Sequence, residues 1–229
     1  VFGRTLSHFA VRGVPFEVAE PMIFFLYTIL ALSTFMFFLM LFLPLSFLSV
    51  AIMTLINAPV QLFYLLTHPE VRKNHALEHA TIHVLEELVP VKLSGVSNPN
   101  GFVIQGVSDP YLVLQAAHEA KRRLLSGEKD LAVHPRCGTT SVVTGLVFAI
   151  LFIVFSILFG LFSFVNLLLS LVLGAILGSV LSPWVQRYVT TDWRVHDVEI
   201  ENAELIIRGW SVHGVFVHTR KGDIKWSIR

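Results

Sequence analysis

The stretch Pro21–Thr67, PMIFFLYTILALSTFMFFLMLFLPLSFLSVAIMTLINAPVQLFYLLT, runs for 47 residues without one Asp, Glu, Lys or Arg. A helix needs about 20 apolar residues to cross roughly 30 Å of hydrocarbon, so this run is a little over two spans long. Residues 138–186 repeat the pattern, again uncharged and dominated by Leu, Phe, Ile and Val. In the first stretch Pro44 separates 22–43 from 45–66, where its fixed φ and missing donor suit the start of a second helix. In the second, the Gly, Ser and Asn of residues 160–166 separate 140–159 from 167–183. The expectation is an integral membrane α-helical protein with four transmembrane helices in two hairpins. The first stretch is too long for a signal-peptide h-region, and no small-residue cleavage site follows it.

Composition points the same way. Of 229 residues 54% are hydrophobic and only 14% charged, about half the usual charge of a globular domain. The single cysteine, Cys137, excludes a disulfide scaffold, and a net charge of +1 speaks against a nucleic-acid partner. All 17 Lys and Arg lie outside the apolar stretches. Two hairpins place them on one side, which the positive-inside rule makes the cytoplasm, with both termini there. The chain then divides into an interfacial segment (1–21), a first transmembrane hairpin (22–67), a small cytoplasmic α+β domain (68–137), a second hairpin (138–186) and a short β-rich cytoplasmic tail (187–229).

Within the bilayer, Ser170, Gly174, Gly178 and Ser182 recur every four residues, a small-residue face that another helix, or a second copy of the chain, can approach closely. Asn57, Pro59 and Gln61 interrupt the first stretch; amides are costly in lipid and should face the bundle interior or a wet cavity.

Outside the bilayer, residues 69–87 read as a helix: Pro69 suits its first turn, Glu70 complements its dipole and Pro90 stops it. Leu77, Thr81, Val84, Leu85 and Leu88 share one face, and His75, Glu78, His79, Ile82, His83 and Glu86 the opposite one. Residues 91–106 read as a β-hairpin turning at 97–101, and Ser108, Asp109 and Pro110 open a helix to about Leu125. The basic run Lys121, Arg122, Arg123 suits anionic headgroups. Near the C-terminus Val198–Arg208 and residues 215–228 alternate apolar and polar, with Lys221, Gly222 and Asp223 as a turn, although 199–207 is equally compatible with a helix.

His75, Glu78 and His79 form an HxxEH pattern, the inverse of HExxH. Histidines at i and i+4 can meet one Zn²⁺ while the Glu stays near its water as a base. His134, Pro135, Arg136, Cys137, Gly138 and Thr139 precede the second hairpin at the same membrane surface, bringing an imidazole and the only thiol. The candidates for a third ligand are His134, then Cys137, then Glu86 or His83. A helix N-terminus favours a thiolate at Cys137. His8, His68, His118, His196, His213 and His218 read as solvated or hydrogen-bonded.

The segments NHALEHATIH, HPRCGTT and VQRYVTTD, each adjoining a membrane hairpin, resemble the uncharacterised bacterial membrane-protein families related to YqhQ, which carry HGAEHK, HPRCGT and QxxTT segments. On that pattern His75, Glu78, His79, His134, Cys137, Gly138, Thr190 and Thr191 match. The longer central domain is closer to a second, cyanobacterial and chloroflexal type of domain of unknown function. The resemblance implies a bacterial plasma membrane location and a shared site, and names no activity.

Two functions follow as expectations. One is a membrane-embedded zinc-dependent hydrolase, peptidase-like and acting at the cytoplasmic face on a membrane-associated peptide or protein, with His75, His79 and His134 or Cys137 as ligands and Glu78 as the catalytic base. Arg136, Thr139 or backbone donors near Gly138 would stabilise an oxyanion. The alternative is a non-catalytic scaffold or partner-binding protein with a closed His₃Cys site. A metal-free reading makes Cys137 a nucleophile.

Overall fold

A computed structural model describes residues 16–161, 163–208 and 211–222. The expectations for residues 1–15, His8 among them, and for Asp223 and Ile228 fall outside the described residues. The chain divides into two compact units, residues 1–47 and 48–229. Among the described residues three helices are long and apolar enough to cross a membrane: Pro21–Thr67, Gly138–Phe159 and Phe164–Thr190. The protein is mostly helical, with one small antiparallel sheet.

The first stretch departs from the expected hairpin. Helix α1 (Phe16–Thr67) is a single element of 52 residues that continues through Pro44. One proline removes only one rung of the i to i−4 ladder, a loss that a helix of this length absorbs. The residues around Pro44, FLPLS, include no Gly or Asn to accommodate a reversal.

The second stretch does fold back. Helix α4 (Gly138–Phe159) ends at Gly160, whose φ of 87° is left-handed and whose N–H donates to Ser156 O. Helix α5 (Phe164–Val185) begins at Ser163, whose hydroxyl accepts from Asn166 N–H. The Asn166 amide then donates to Ser156 Oγ at 2.9 Å, tying the turn together. Ser170, Gly174, Gly178 and Ser182 are all buried. A Cβ on Gly174 would lie 2.9 Å from Phe148 Cβ, and one on Gly178 would lie 2.5 Å from Thr144 Cα. The small-residue stripe offered for a homo-oligomer contact is therefore covered by α4 of the same chain. Asn57 and Gln61, expected to face the bundle interior or a wet cavity, line a groove of about 490 Å³ with Ser49, Thr54 and Ser141.

Between the membrane helices lie α2 (Pro69–Leu88), β1 (Ser94–Asn98), β2 (Gly101–Gln105), α3 (Pro110–Leu125) and a 3-10 turn (Lys129–Ala132). Pro110 starts α3, and Asp109 caps it by accepting from the Tyr111 and Leu112 N–H groups. After α5 come a π turn (Gln186–Thr190), β3 (Val198–Arg208) and β4 (Ser211–Lys221). The expected C-terminal hairpin exists, but its second strand begins at Ser211 rather than 215, and Lys221 closes that strand instead of opening a turn. The helical alternative for 199–207 gives way to a strand that pairs with β4 along its length.

The four strands lie in the order β1-β2-β4-β3, all antiparallel. Phe102 sits opposite Val217 and Ile104 opposite Val215, and all four are fully buried. They join Leu77, Leu85, Val113 and Leu124 in one core, so the C-terminal strands complete the sheet begun before α4. Because β2 and β4 are hydrogen-bonded neighbours, α4 and α5 together leave the sheet and return the chain to it.

Candidate metal centre

Helix α2 is buried on both faces. Ala76, Leu77, Ala80 and Leu85 enter the core, while Glu78 (4% exposed) and His79 (1% exposed) are enclosed on the opposite, polar face. That face meets the turn that precedes α4 and the π turn that follows α5.

His75 Nδ1 lies 3.0 Å from the Thr190 carbonyl and His79 Nδ1 lies 2.8 Å from the Ala132 carbonyl. A carbonyl can only accept, so each Nδ1 carries the proton and each Nε2 presents a lone pair. Outer-sphere bonds of this kind orient histidines in metal sites. Cys137, the residue preceding α4, places Sγ 3.1 Å from His75 Nε2 and also accepts from Thr139 N–H. Ligand atoms of His75, His79 and Cys137 all lie within 4.8 Å of one another. His79 Nε2 is buried with no hydrogen-bond partner among the described residues. Such an orphan costs about 1–3 kcal/mol unless something occupies it, and two imidazoles with a thiol are a zinc-type donor set.

The third member of the cluster is thus Cys137, not His134. Although buried, His134 uses Nδ1 to accept from its own turn, at 3.3 Å from Arg136 N–H, and its Nε2 lies 3.8 Å from Glu86 Oε2. Its ring centre is 5.8 Å from that of His79. His83 donates from Nε2 to the Val133 carbonyl at 2.9 Å. Glu86 accepts from Leu93 N–H and from Arg136. Neither Glu86 nor His83 joins the cluster.

Glu78 turns towards β1, where it accepts from the Ser97 hydroxyl. Gly95 makes room for it: a Cβ there would sit 2.6 Å from Glu78 Oε1 and 2.7 Å from the Val103 carbonyl. Burial raises the Glu78 carboxyl to about 7, partly opposed by Ser97. Burial lowers His75, and it lowers His79 well below the ordinary value with help from the neighbouring His75, so both imidazoles are neutral near pH 7. Burial also pushes the Cys137 thiol up, with a further contribution from Glu78, outweighing its N–H donors. The thiolate expected from the helix terminus therefore needs a cation beside it.

The TT segment matters through its backbone, which no residue pattern advertises. Thr191 N–H reaches back to Gln186 O at 2.9 Å, and this π turn aims the Thr190 carbonyl at His75. The Gln186 side chain accepts from His134 N–H at 2.9 Å and donates to Ser182 and Thr140, locking the HPRC turn to the membrane helices.

Residues 70–203, more than half of the chain, match the family described as "Domain of unknown function (DUF6391)". An uncharacterized protein of Picosynechococcus sp. is 43% identical over 87 residues, covering 34% of this chain and 42% of that protein. The chain thus spans under half the length of that curated relative. No solved structure matches the chain. Nothing in these comparisons ties it to the YqhQ-related families whose segments it resembles.

Proposed function

The chain belongs to the DUF6391 family, and we propose from the geometry of its site that it is a membrane-embedded, metal-dependent hydrolase. The observation that carries this reading is the convergence of ligand atoms from His75, His79 and Cys137 within 4.8 Å, with both imidazoles fixed by backbone carbonyls. Zn²⁺ suits the donor set, and with three protein ligands it supplies Lewis acidity and an open fourth position. Glu78, adjacent to His79 and held by Ser97, is the general base that takes a proton and returns it to the leaving group. Arg136 and the N–H groups at the start of α4 supply oxyanion stabilisation. The substrate class is a peptide segment at the cytoplasmic membrane face, by analogy with inverted zinc-motif peptidases.

A closed four-ligand centre is less well supported, because His134 already commits Nδ1 to Arg136 and directs Nε2 towards Glu86. The test is elemental analysis of the purified full chain alongside Glu78→Gln. The hydrolase reading expects about one transition metal per chain in both proteins, with cleavage of membrane peptides lost in the variant. An apo wild type that takes up no zinc overturns it.

A further inference from the structure

Where α5 gives way to the π turn, the chain becomes basic. Arg187 lies in the turn and Arg194 follows it, Arg72 comes from α2 and Lys129 from the 3-10 turn; with Trp193 and Asp192 they line a cavity of about 430 Å³. The four cations share this wall with one carboxylate.

The neutralisation of those cations is incomplete. Arg194 holds Asp192 through bonds of 3.0 and 3.1 Å. Among the described residues Arg187 pairs with Asp130, whose side chain is 88% exposed and weakly held. Arg72 spends Nη2 on the carbonyls of Tyr188 and Thr191, and its Nε is buried without an acceptor among the described residues. Lys129 stands 4.1 Å from the centre of the Trp193 ring. Among the described residues neither Arg72 nor Lys129 has a carboxylate within ion-pair distance. A recess with this excess of guanidinium and ammonium groups recognises a phosphate, whose oxygens accept from several donors at once.

The level of the recess argues for the bearer of that phosphate. Trp184 and Tyr188, at the end of the last span, are 61% and 59% exposed, with ring centres 5.2 Å apart. Amphipathic rings in that position sit among lipid headgroups, and basic pockets beside membrane helices take anionic ones. We propose that this recess binds a phosphate group, presented by an anionic lipid headgroup. The assignment goes beyond the hydrolase reading and requires no metal. The two sites share backbone, since Ala132 lines the recess and its carbonyl holds His79.

The test is calorimetry on the full chain in neutral detergent, titrated separately with short-chain phosphatidylglycerol, short-chain phosphatidylcholine and inorganic phosphate. Phosphatidylglycerol is expected to bind at least about tenfold more tightly than phosphatidylcholine, and Lys129→Ala with Arg187→Ala to weaken it about tenfold or more. Both side chains are exposed and their loss should leave the melting temperature unchanged; Arg194→Gln, at a side chain 65% exposed, provides a second route to the same loss. Inorganic phosphate binding as tightly as phosphatidylglycerol overturns the lipid as the source and assigns the recess to soluble phosphate. Equal binding of the two lipids with no response to phosphate, or unchanged binding in a natively melting variant, overturns the site itself.

Discussion

His75 and His79 differ from His83 and His134 in what each second nitrogen does. The first pair gives Nδ1 to a backbone carbonyl and keeps Nε2 for the cluster. In the second pair, His83 spends Nε2 on Val133, while His134 spends Nδ1 on its own turn. The four rings are neighbours, with centres 4.4 Å apart for His75 and His79 and 5.0 Å for His83 and His134. Proximity of rings therefore does not make a ligand. What sets the first pair apart is that its ligand atoms and that of Cys137 all lie within 4.8 Å of one another.

The comparison breaks most readily at His79. Replacing it with Ala is expected to abolish stoichiometric zinc, and elemental analysis showing a full metal load would erase the distinction between the pairs. Cys137→Ser should weaken zinc by at least about 100-fold, since even outer-sphere partners cost about 10–100-fold; competition with a chelator reads this directly. His134→Gln should leave zinc affinity within about twofold while lowering stability by about 1–3 kcal/mol, because a buried hydrogen-bonding group changes shape. A collapse of affinity there would move His134 into the first pair.

The smallest effect belongs to Glu86, the anchor of the second pair. Its partial burial pushes the carboxyl up, but Leu93 N–H and Arg136 win and hold it below the ordinary carboxylate range. A group depressed on folding stabilises above its unfolded pKa of about 4.3, and that stabilisation is lost as pH falls through the folded value. Glu86→Gln should therefore cost about 1 kcal/mol at pH 7 and progressively less below about pH 4, with zinc content unchanged. Thermal melts across that range check both the sign and the window.

Much of this was legible in residue types. The HxxEH spacing put His75 and His79 on one face, and the HPRC segment brought the thiol to the same membrane surface. His134 lies outside the cluster of His75, His79 and Cys137, and its Nδ1 is met by the Arg136 N–H of its own turn, which depends on local dihedrals and not on composition. The carbonyls of Thr190 and Ala132 had no signature, since every residue carries one. The membrane helices teach the same lesson. Length and lack of charge are alike in both apolar stretches, yet the reversal occurs where Gly160, Ser163 and Asn166 provide a left-handed residue and caps, and Pro44 provides neither. The union of β2 with β4 escaped detection because strand pairing across two spans leaves no periodic trace.

That union has a consequence for biosynthesis. β2 leaves the ribosome well before its neighbour β4, and both membrane helices are made in the interval. Until the last strands arrive, β2 presents an open edge able to recruit a stray strand from another molecule. Insertion of the α4–α5 pair is thus the gate through which the aqueous half of this protein must pass before it can close.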